Sequence, residues 1–408
     1  MNHVLSMILA GGEGKRLNPL TLVRSKPSVP FGGNYRIIDF VLSNFVNSGL
    51  LKLYVLTQFK SHSLMKHLRL GWRFSGITDQ FIDPIPPQMR TGKKWYEGTG
   101  DAIYQNLNLI YDDLSEHVCV FGGDHIYKMD VRQMVQFHEE KDAELTVAAI
   151  PVPVESAHEF GVIEVNDNWR MIGFQEKPEK NPPTLPGDPT HVLASMGNYV
   201  FKTQKLIDEL SLDTRTKGSS HDFGKDIIPR FFPRGNVYVY DFLNNQIPGT
   251  DACEQGYWKD VGTIDAYWKA SMDLVGVRPV FNLYNSKWPC LSYTPPLPPA
   301  KFMHYSDVPT GHALNSTLSS GCIVSGSLIE QSVLGFNVRA RRSSHIRQSV
   351  IMDNVEIGRG ARVKRAIIDK DLIIPPDFVI GEDPEEDRKR FFTSESGIVV
   401  IPKGAKIE

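Results

Sequence analysis

Long apolar runs, clustered cysteines and a large net charge of either sign are all missing from this chain of 408 residues. No segment approaches the roughly eighteen apolar residues that cross a bilayer. The run at the start, Val4 to Ala10, is only seven residues long and has no basic leader. The four cysteines, Cys119, Cys253, Cys290 and Cys322, lie far apart with no C-x-x-C pair, which argues against a disulfide framework and reads as reduced thiols. A formal charge of −2 supplies no field for nucleic acid or a membrane surface, although a local basic pocket stays open. These absences predict a soluble, cytoplasmic protein with no nucleic-acid and no membrane partner. Two phosphate-binding signatures are missing as well. G-x-x-x-x-G-K-[ST] fails because Arg16 follows Lys15, and G-x-G-x-x-G fails because Leu17 stands where the last glycine belongs.

What is present begins with a globular composition, 41% hydrophobic and 23% charged, over a length that suggests about two to three domains. Val4–Ala10 reads as a buried parallel strand, and Gly11, Gly12 and Gly14 follow it at once. Glycines after a strand let backbone N–H groups approach a ligand that a Cβ would block. Lys15, Arg16, Arg24 and Lys26 beside them suit an anion, phosphate above all. The glycines alone fit an ordinary turn with solvated lysines equally well.

Strand-like and helical segments then alternate. Residues 53–58, 118–124 and 144–152 read as buried strands, and 101–114 and 131–141 have helical spacing. This predicts a mostly parallel α/β sheet whose ligands sit beyond the carboxyl ends of its strands. Short strands are expected at 160–165, 171–178, 196–201 and 237–242, and a helix capped by Asp222 or Ser220 lies beyond the loop 178–189. After a proline-rich linker at 286–309, helical period vanishes. Branched apolar residues recur six apart, Ile351, Ile357, Val363, then after a one-residue slip Ile368, Ile374, Ile380. A six-residue period marks a left-handed parallel β-helix, with a small β-sandwich as the alternative.

Asp124 ends the strand V-C-V-F-G-G-D and Asp260 ends Y-W-K-D, both on the ligand side of the sheet. Magnesium takes one or two carboxylates plus substrate phosphate oxygens, so the pair suits Mg2+, although each alone fits a turn or helix cap. His125 and His221 read as structural, because hard oxygen ligands suit magnesium. Glu176 and Lys177 sit together before Pro178; strand alternation would point them to opposite faces, which argues against a mutual salt bridge and allows separate tasks at a bend enforced by Pro178. Gln88 carries an amide able to both donate and accept, as reading a purine edge requires.

The pattern G-G-x-G-x-R-L-x-P-L-T followed by S-K-P resembles the signature of the sugar-nucleotide pyrophosphorylases. The stretches V-P-F-G-G-N-Y-R-I-I-D-F, W-Y-E-G-T, S-M-G-N-Y-V-F and S-S-H-D-F-G-K-D-I-I-P are similar to its ADP-glucose branch, and the likeness runs from Val4 to about Val400. The resemblance implies a Rossmann-like nucleotidyltransferase domain at 1–285, the linker at 286–309 and a left-handed β-helix at 310–408. It implies Mg2+-dependent transfer of AMP from ATP to glucose 1-phosphate, the committed step of glycogen synthesis. Arg16, Lys26, Asp124 and Asp260 match the catalytic positions, the two aspartates as metal ligands. Gly11, Gly12, Gly14, Arg16, Gln88, Gly98 and Thr99 match the nucleotide site. Tyr96, Gly161, Glu176, Lys177 and Ser195 match the glucose 1-phosphate site, while Trp258 either walls that pocket or packs in the core.

Relatives are commonly homotetramers with small-molecule effectors bound between the two domains, where Arg24 and Arg36 match basic positions. Val23 and Pro30 replace a lysine and a histidine of the enteric relatives, so a weak or altered response to fructose 1,6-bisphosphate is expected. Gly100 stands where relatives have alanine, a departure expected to loosen its loop. Two alternatives stay open: a non-catalytic regulatory subunit or sugar-phosphate sensor of the same fold, and a pyrophosphorylase using another nucleoside triphosphate. Retention of Arg16, Lys26, Asp124, Lys177 and Asp260 favours the enzyme.

Overall fold

The computed structural model describes residues 4–74, 79–88, 94–304 and 311–407. Four strands run parallel in the spatial order β4-β1-β2-β3: β1 (Val4–Ala10), β2 (Lys52–Thr57), β3 (Phe81–Ile85) and β4 (His117–Gly122). β1 is central, and its side chains alternate between two cores. Ile8 packs with Phe45, Phe121 and Tyr127 on one side, and Leu5 and Met7 with Val118, Val120 and Phe201 on the other.

β5 (His125–Tyr127) lies outside this sheet. β6 (Leu145–Pro153), β7 (Gly161–Val165), β8 (Met171–Glu176), β9 (His191–Lys202) and β10 (Val237–Asp241) complete nine strands. β9 runs antiparallel to β4, β6 and β7, so the sheet is mixed rather than wholly parallel. β11 (Trp258–Asp260) pairs with β5 alone, as a separate two-stranded antiparallel ribbon. The helix expected at 101–114 forms as two, Thr99–Tyr104 and Leu107–Asp113, and the one expected at 131–141 spans Val131–Glu140. Asp222 is the cap foreseen at its helix: its carboxylate accepts from the Gly224 and Lys225 N–H groups, and the first turn is a π-helix.

Among the described residues the C-terminal part is a three-sided β-helix with sheets of five, five and six strands, parallel except where Phe392–Thr393 pairs antiparallel with Val399–Ile401. The recurring residues face its interior, and each stacks on its counterpart one coil later: Ile351 on Ile368, Ile357 on Ile374, Val363 on Ile380. The one-residue slip in the sequence is thus the coil of seventeen residues, one short of three repeats of six. Its corners use left-handed residues, and Asn337, Asn354 and Asp371 (φ +57, +59 and +61) form a hydrogen-bonded ladder there, with Asn354 between the other two at 3.0 and 2.8 Å. Strand pairing begins with Lys301–Met303 against Ile323–Ser325, inside the stretch expected as linker, whose residues 305–309 lie outside the described ones.

The β-helix packs against the sheet domain through Val333, Val350, Ile367 and Val400, which meet Phe31, Phe40 and Tyr267 in one core. Polar contacts add to this packing. The Trp268 indole donates to the Gln348 carbonyl at 2.8 Å, and Arg24 pairs with Asp369 at 2.8 Å.

Candidate active site

Three loops leave the carboxyl ends of β1, β2 and β4 and open onto one cavity of about 570 Å3. The glycine loop lines it. Gly14 has φ +66, and a Cβ there would sit 3.0 Å from the Cβ of Lys26, so the loop folds tightly onto that lysine. A Cβ on Gly12 would meet nothing, which leaves this backbone open to a ligand rather than to protein. Gly11 lies against Gln58, whose side chain accepts from Tyr96 N–H at 2.8 Å.

Lys26 is buried and its ammonium bridges the two carboxylates, 3.0 Å from Asp124 Oδ2 and 2.6 Å from Asp260 Oδ1. Burial alone would lower the lysine pKa, but the two carboxylates outweigh it and the direction is up. Asp124 is held well below the ordinary carboxylate range and Asp260 is lowered too: burial opposes this in both, and the Lys26 ammonium is the largest influence overcoming it. Arg16 is largely exposed and reaches Asp260 Oδ2 at 3.4 Å. Oxygens of Asp124 and Asp260 and a ring nitrogen of His125 all lie within 4.8 Å of one another, a spacing that fits one cation. His125 itself stacks on Trp258 with ring centres 4.9 Å apart.

Gly161, Glu176, Lys177 and Ser195 line the same cavity. The alternation expected for Glu176 and Lys177 fails. β8 ends at Glu176, Lys177 takes φ +48, and both residues line the same cavity. Burial pushes the Glu176 carboxyl up, its largest influence. Gly161 and Gly224 make room for it, since a Cβ on either would lie 3.0 or 2.8 Å from Glu176 Oε2. Trp258 serves both roles offered for it, lining the cavity while packing in the core beside Tyr127.

Tyr96, Gly98 and Thr99 also line the cavity. The Thr99 hydroxyl donates to Asp222 Oδ2 at 3.0 Å and accepts from Phe223 N–H at 2.9 Å. Gly100 does not loosen this loop. Its N–H donates to the His221 carbonyl at 2.7 Å, and Ile227 Cδ1 occupies the space an alanine methyl would need, 2.3 Å from that position. His221 is structural as expected, its Nδ1 2.6 Å from Asp213 Oδ2.

Gln88, expected at the nucleotide site, is not brought to the cavity, and Arg24 and Arg36, expected at an effector site between the two domains, lie apart from it. Gln88 is exposed and its amide donates to the Pro86 carbonyl at 3.0 Å, satisfied two residues back along the chain. Arg24 is buried against Asp369 of the β-helix, and Arg36 donates to the Ser63 carbonyl at 2.8 Å and hydroxyl at 2.9 Å. Sequence reasoning passed over Gln58, although it follows β2 at the ligand end of the sheet. It read Asp222 as a cap alone.

The nucleotidyl transferase family matches residues 5–276, and a second family, GlmU-like, C-terminal hexapeptide, matches 298–401. The chain is 57% identical over 407 residues to glucose-1-phosphate adenylyltransferase 1 of Vibrio parahaemolyticus, covering all of both chains. It is 56% identical to the glucose-1-phosphate adenylyltransferase of Photobacterium profundum and 53% to that of an Anaeromyxobacter species, again end to end. A hexapeptide match identifies the β-helix as the left-handed type. With a nucleotidyl transferase sheet, a phosphate-ready glycine loop and a paired-carboxylate centre in one cavity, the chain belongs to the glucose-1-phosphate adenylyltransferase family.

Proposed function

We propose that this enzyme transfers the AMP moiety of ATP to glucose 1-phosphate, giving ADP-glucose and pyrophosphate, with Mg2+ as its metal ion. The carrying observation is that Lys26 holds Asp124 and Asp260 within 3.0 Å in a cavity that Glu176 and Lys177 also line. The donor set fits a hard cation, with Asp124 and Asp260 holding it. Magnesium, when bound, supplies charge neutralisation on the triphosphate and polarises the α-phosphoryl group.

The residues divide the remaining work. Backbone N–H groups of Gly11, Gly12 and Gly14 and the Arg16 guanidinium hold the β- and γ-phosphates, and Arg16 and Lys26 meet the charge that grows on departing pyrophosphate. Gly98 and Thr99 border the adenosine. Lys177 binds the phosphate of glucose 1-phosphate, Glu176 accepts from sugar hydroxyls, and Tyr96, Gly161 and Ser195 shape that pocket. The attacking phosphate oxygen is already ionised, so no general base is needed. It forms a bond to the α-phosphorus while the bond from that phosphorus to the bridging oxygen breaks, in line.

The test is pyrophosphate release from purified protein with Mg2+ and glucose 1-phosphate, offered ATP, UTP, GTP and dTTP in parallel. Strong preference for ATP is expected. Turnover with another nucleotide moves the product, and no turnover with any of them overturns the enzyme reading in favour of a sensor or regulatory subunit.

We further propose a cytoplasmic homotetramer with a catalytic domain at 1–285, a β-helix domain at 310–408 and a small anionic effector bound between them. Engagement of Arg24 by Asp369 supports a weak response to fructose 1,6-bisphosphate. Large activation by that compound at micromolar concentration would refute this.

A further inference from the structure

We infer that Lys128 and Glu254 are positioning residues that set the register of the two metal-binding carboxylates; this rests on the metal-site reading given under Proposed function. Among the described residues β5 and β11 are only three residues each and ladder with no other strand, so no third strand sets their register against each other. In their register Asp260 lies opposite His125, and Trp258 opposite Tyr127. Antiparallel pairing therefore puts Asp124 and Asp260 together at one end of the ribbon. Lys128, leaving β5, and Glu254, in the turn that leads into β11, lie at the other end.

There the Lys128 ammonium sits 2.7 Å from Glu254 Oε1 and also donates to the Asn282 carbonyl at 2.5 Å. Asn282 N–H donates back to the same carboxylate oxygen at 3.0 Å. The turn is braced by Glu254 N–H to the Asp251 carbonyl and Tyr257 N–H to the Glu254 carbonyl, both at 3.0 Å. The two side chains are 5% and 4% exposed, and the ammonium lies 5.0 Å from the centre of the Phe281 ring.

Stability alone gives little reason for this pair, because a buried ion pair often does no better than apolar residues of the same volume. Register gives one. A slip of β11 along β5 by one residue would move Nζ and Oε1 apart by about 3.4 Å and leave both charges buried and unpaired. The same slip would turn Asp260 to the opposite face of the ribbon, away from Asp124 and Lys26. One ion pair at the far end thereby makes the misplaced carboxylate costly.

The experiment compares full-length wild type with Lys128→Met, Glu254→Gln and the apolar double variant Lys128→Met/Glu254→Leu. It measures Mn2+ binding in the presence of ATP by electron paramagnetic resonance, steady-state kinetics and thermal midpoints. Each single variant should lose about ten- to hundredfold in Mn2+ affinity and in kcat, with KM for glucose 1-phosphate changed by less than about twofold. The double variant, freed of buried charge, should recover the wild-type thermal midpoint yet keep the losses in Mn2+ affinity and kcat. Should the single variants fail to fold, the double variant decides. Wild-type Mn2+ affinity and kcat in the folded double variant would overturn the inference and assign the pair to stability. Absence of Mn2+ binding by wild type would instead overturn the metal-site reading, and this inference with it.

Discussion

The Lys26 ammonium lies 2.6 Å from Asp260 Oδ1, so a buried lysine is held by the carboxylate that ends β11. The contact joins residues 234 positions apart, and Asp124 completes the bridge at 3.0 Å. Lysine in this place both offsets the repulsion of two carboxylates and stands ready for phosphate charge. Lys26→Met should therefore lower kcat by about a hundredfold or more, the usual loss when one preorganised charge-stabilising group is removed. KM for glucose 1-phosphate should move by less than about threefold, because Lys26 serves the triphosphate. Lys26→Arg should fail to restore the rate, since a planar fork does not replace a point charge wedged between two aspartates. Steady-state kinetics at saturating metal checks both variants.

Metal removal gives the second prediction. Asp124 and Asp260 are the two hard-oxygen groups of the one described cluster able to hold a cation. Excess EDTA should abolish turnover, and Mg2+ added beyond the chelator should restore it. Asp260→Asn should raise the Mg2+ concentration giving half-maximal rate by tenfold or more (about 1.4 kcal/mol) and lower kcat. Full activity in EDTA would remove the metal from the mechanism.

The sequence was most readable where spacing repeats. Ile351, Ile357 and Val363 lie inside the β-helix because an inward position must recur once per side, and the slip before Ile368 is legible once the coil is known to hold seventeen residues. The glycine loop was readable because glycine and cation clusters have few other uses directly after a strand. Glu176 and Lys177 were placed on opposite faces because alternation assumes extended backbone, and a lysine at φ +48 breaks it. The Lys128–Glu254 pair was not readable at all, since two charged residues 126 positions apart look like solvated surface until the fold buries them.

Glu176 yields a prediction about the sugar site. Its carboxyl is half-buried, and burial raises its pKa. Glu176→Gln keeps the shape but weakens acceptance from sugar hydroxyls. KM for glucose 1-phosphate should rise by about tenfold, while KM for ATP stays within about twofold. Initial-rate measurements with each substrate varied in turn separate the two. Equal rises in both would place Glu176 outside the sugar pocket.

Gly100 is locked by its neighbour. An alanine methyl there would fall 2.3 Å from Ile227 Cδ1 and 3.0 Å from the His221 carbonyl oxygen. Gly100→Ala should destabilise the protein by about 1–3 kcal/mol through overpacking. Adding Ile227→Val removes that terminal methyl, so the double variant should recover most of the loss, a non-additivity expected of residues in contact. Thermal midpoints of the two single variants and the double variant test this. Additive effects would show that Ile227 is not what excludes the methyl.

His138 governs a share of acid stability. It is buried, its Nδ1 lies 2.8 Å from the Thr146 hydroxyl oxygen, and its ring packs edge-on to His117 at 5.0 Å. Burial pushes its pKa down from 6.5 to about 3; His117 and Lys202 push the same way, and Asp142 opposes them. The folded value lies below the unfolded one, so the unfolded chain takes the proton first. The stabilisation is complete above pH 6.5 and is lost as pH falls from there toward 3, with a slope of up to about 1.4 kcal/mol per unit. His138→Phe keeps a ring in the cavity and removes the titration. It should cost about 1 kcal/mol at pH 7, where the bond to Thr146 is lost. Between pH 6.5 and 5 its thermal midpoint should then fall less than that of wild type, because the wild-type chain alone carries this proton cost. Parallel curves for the two proteins over that interval would mean that His138 does not titrate on unfolding.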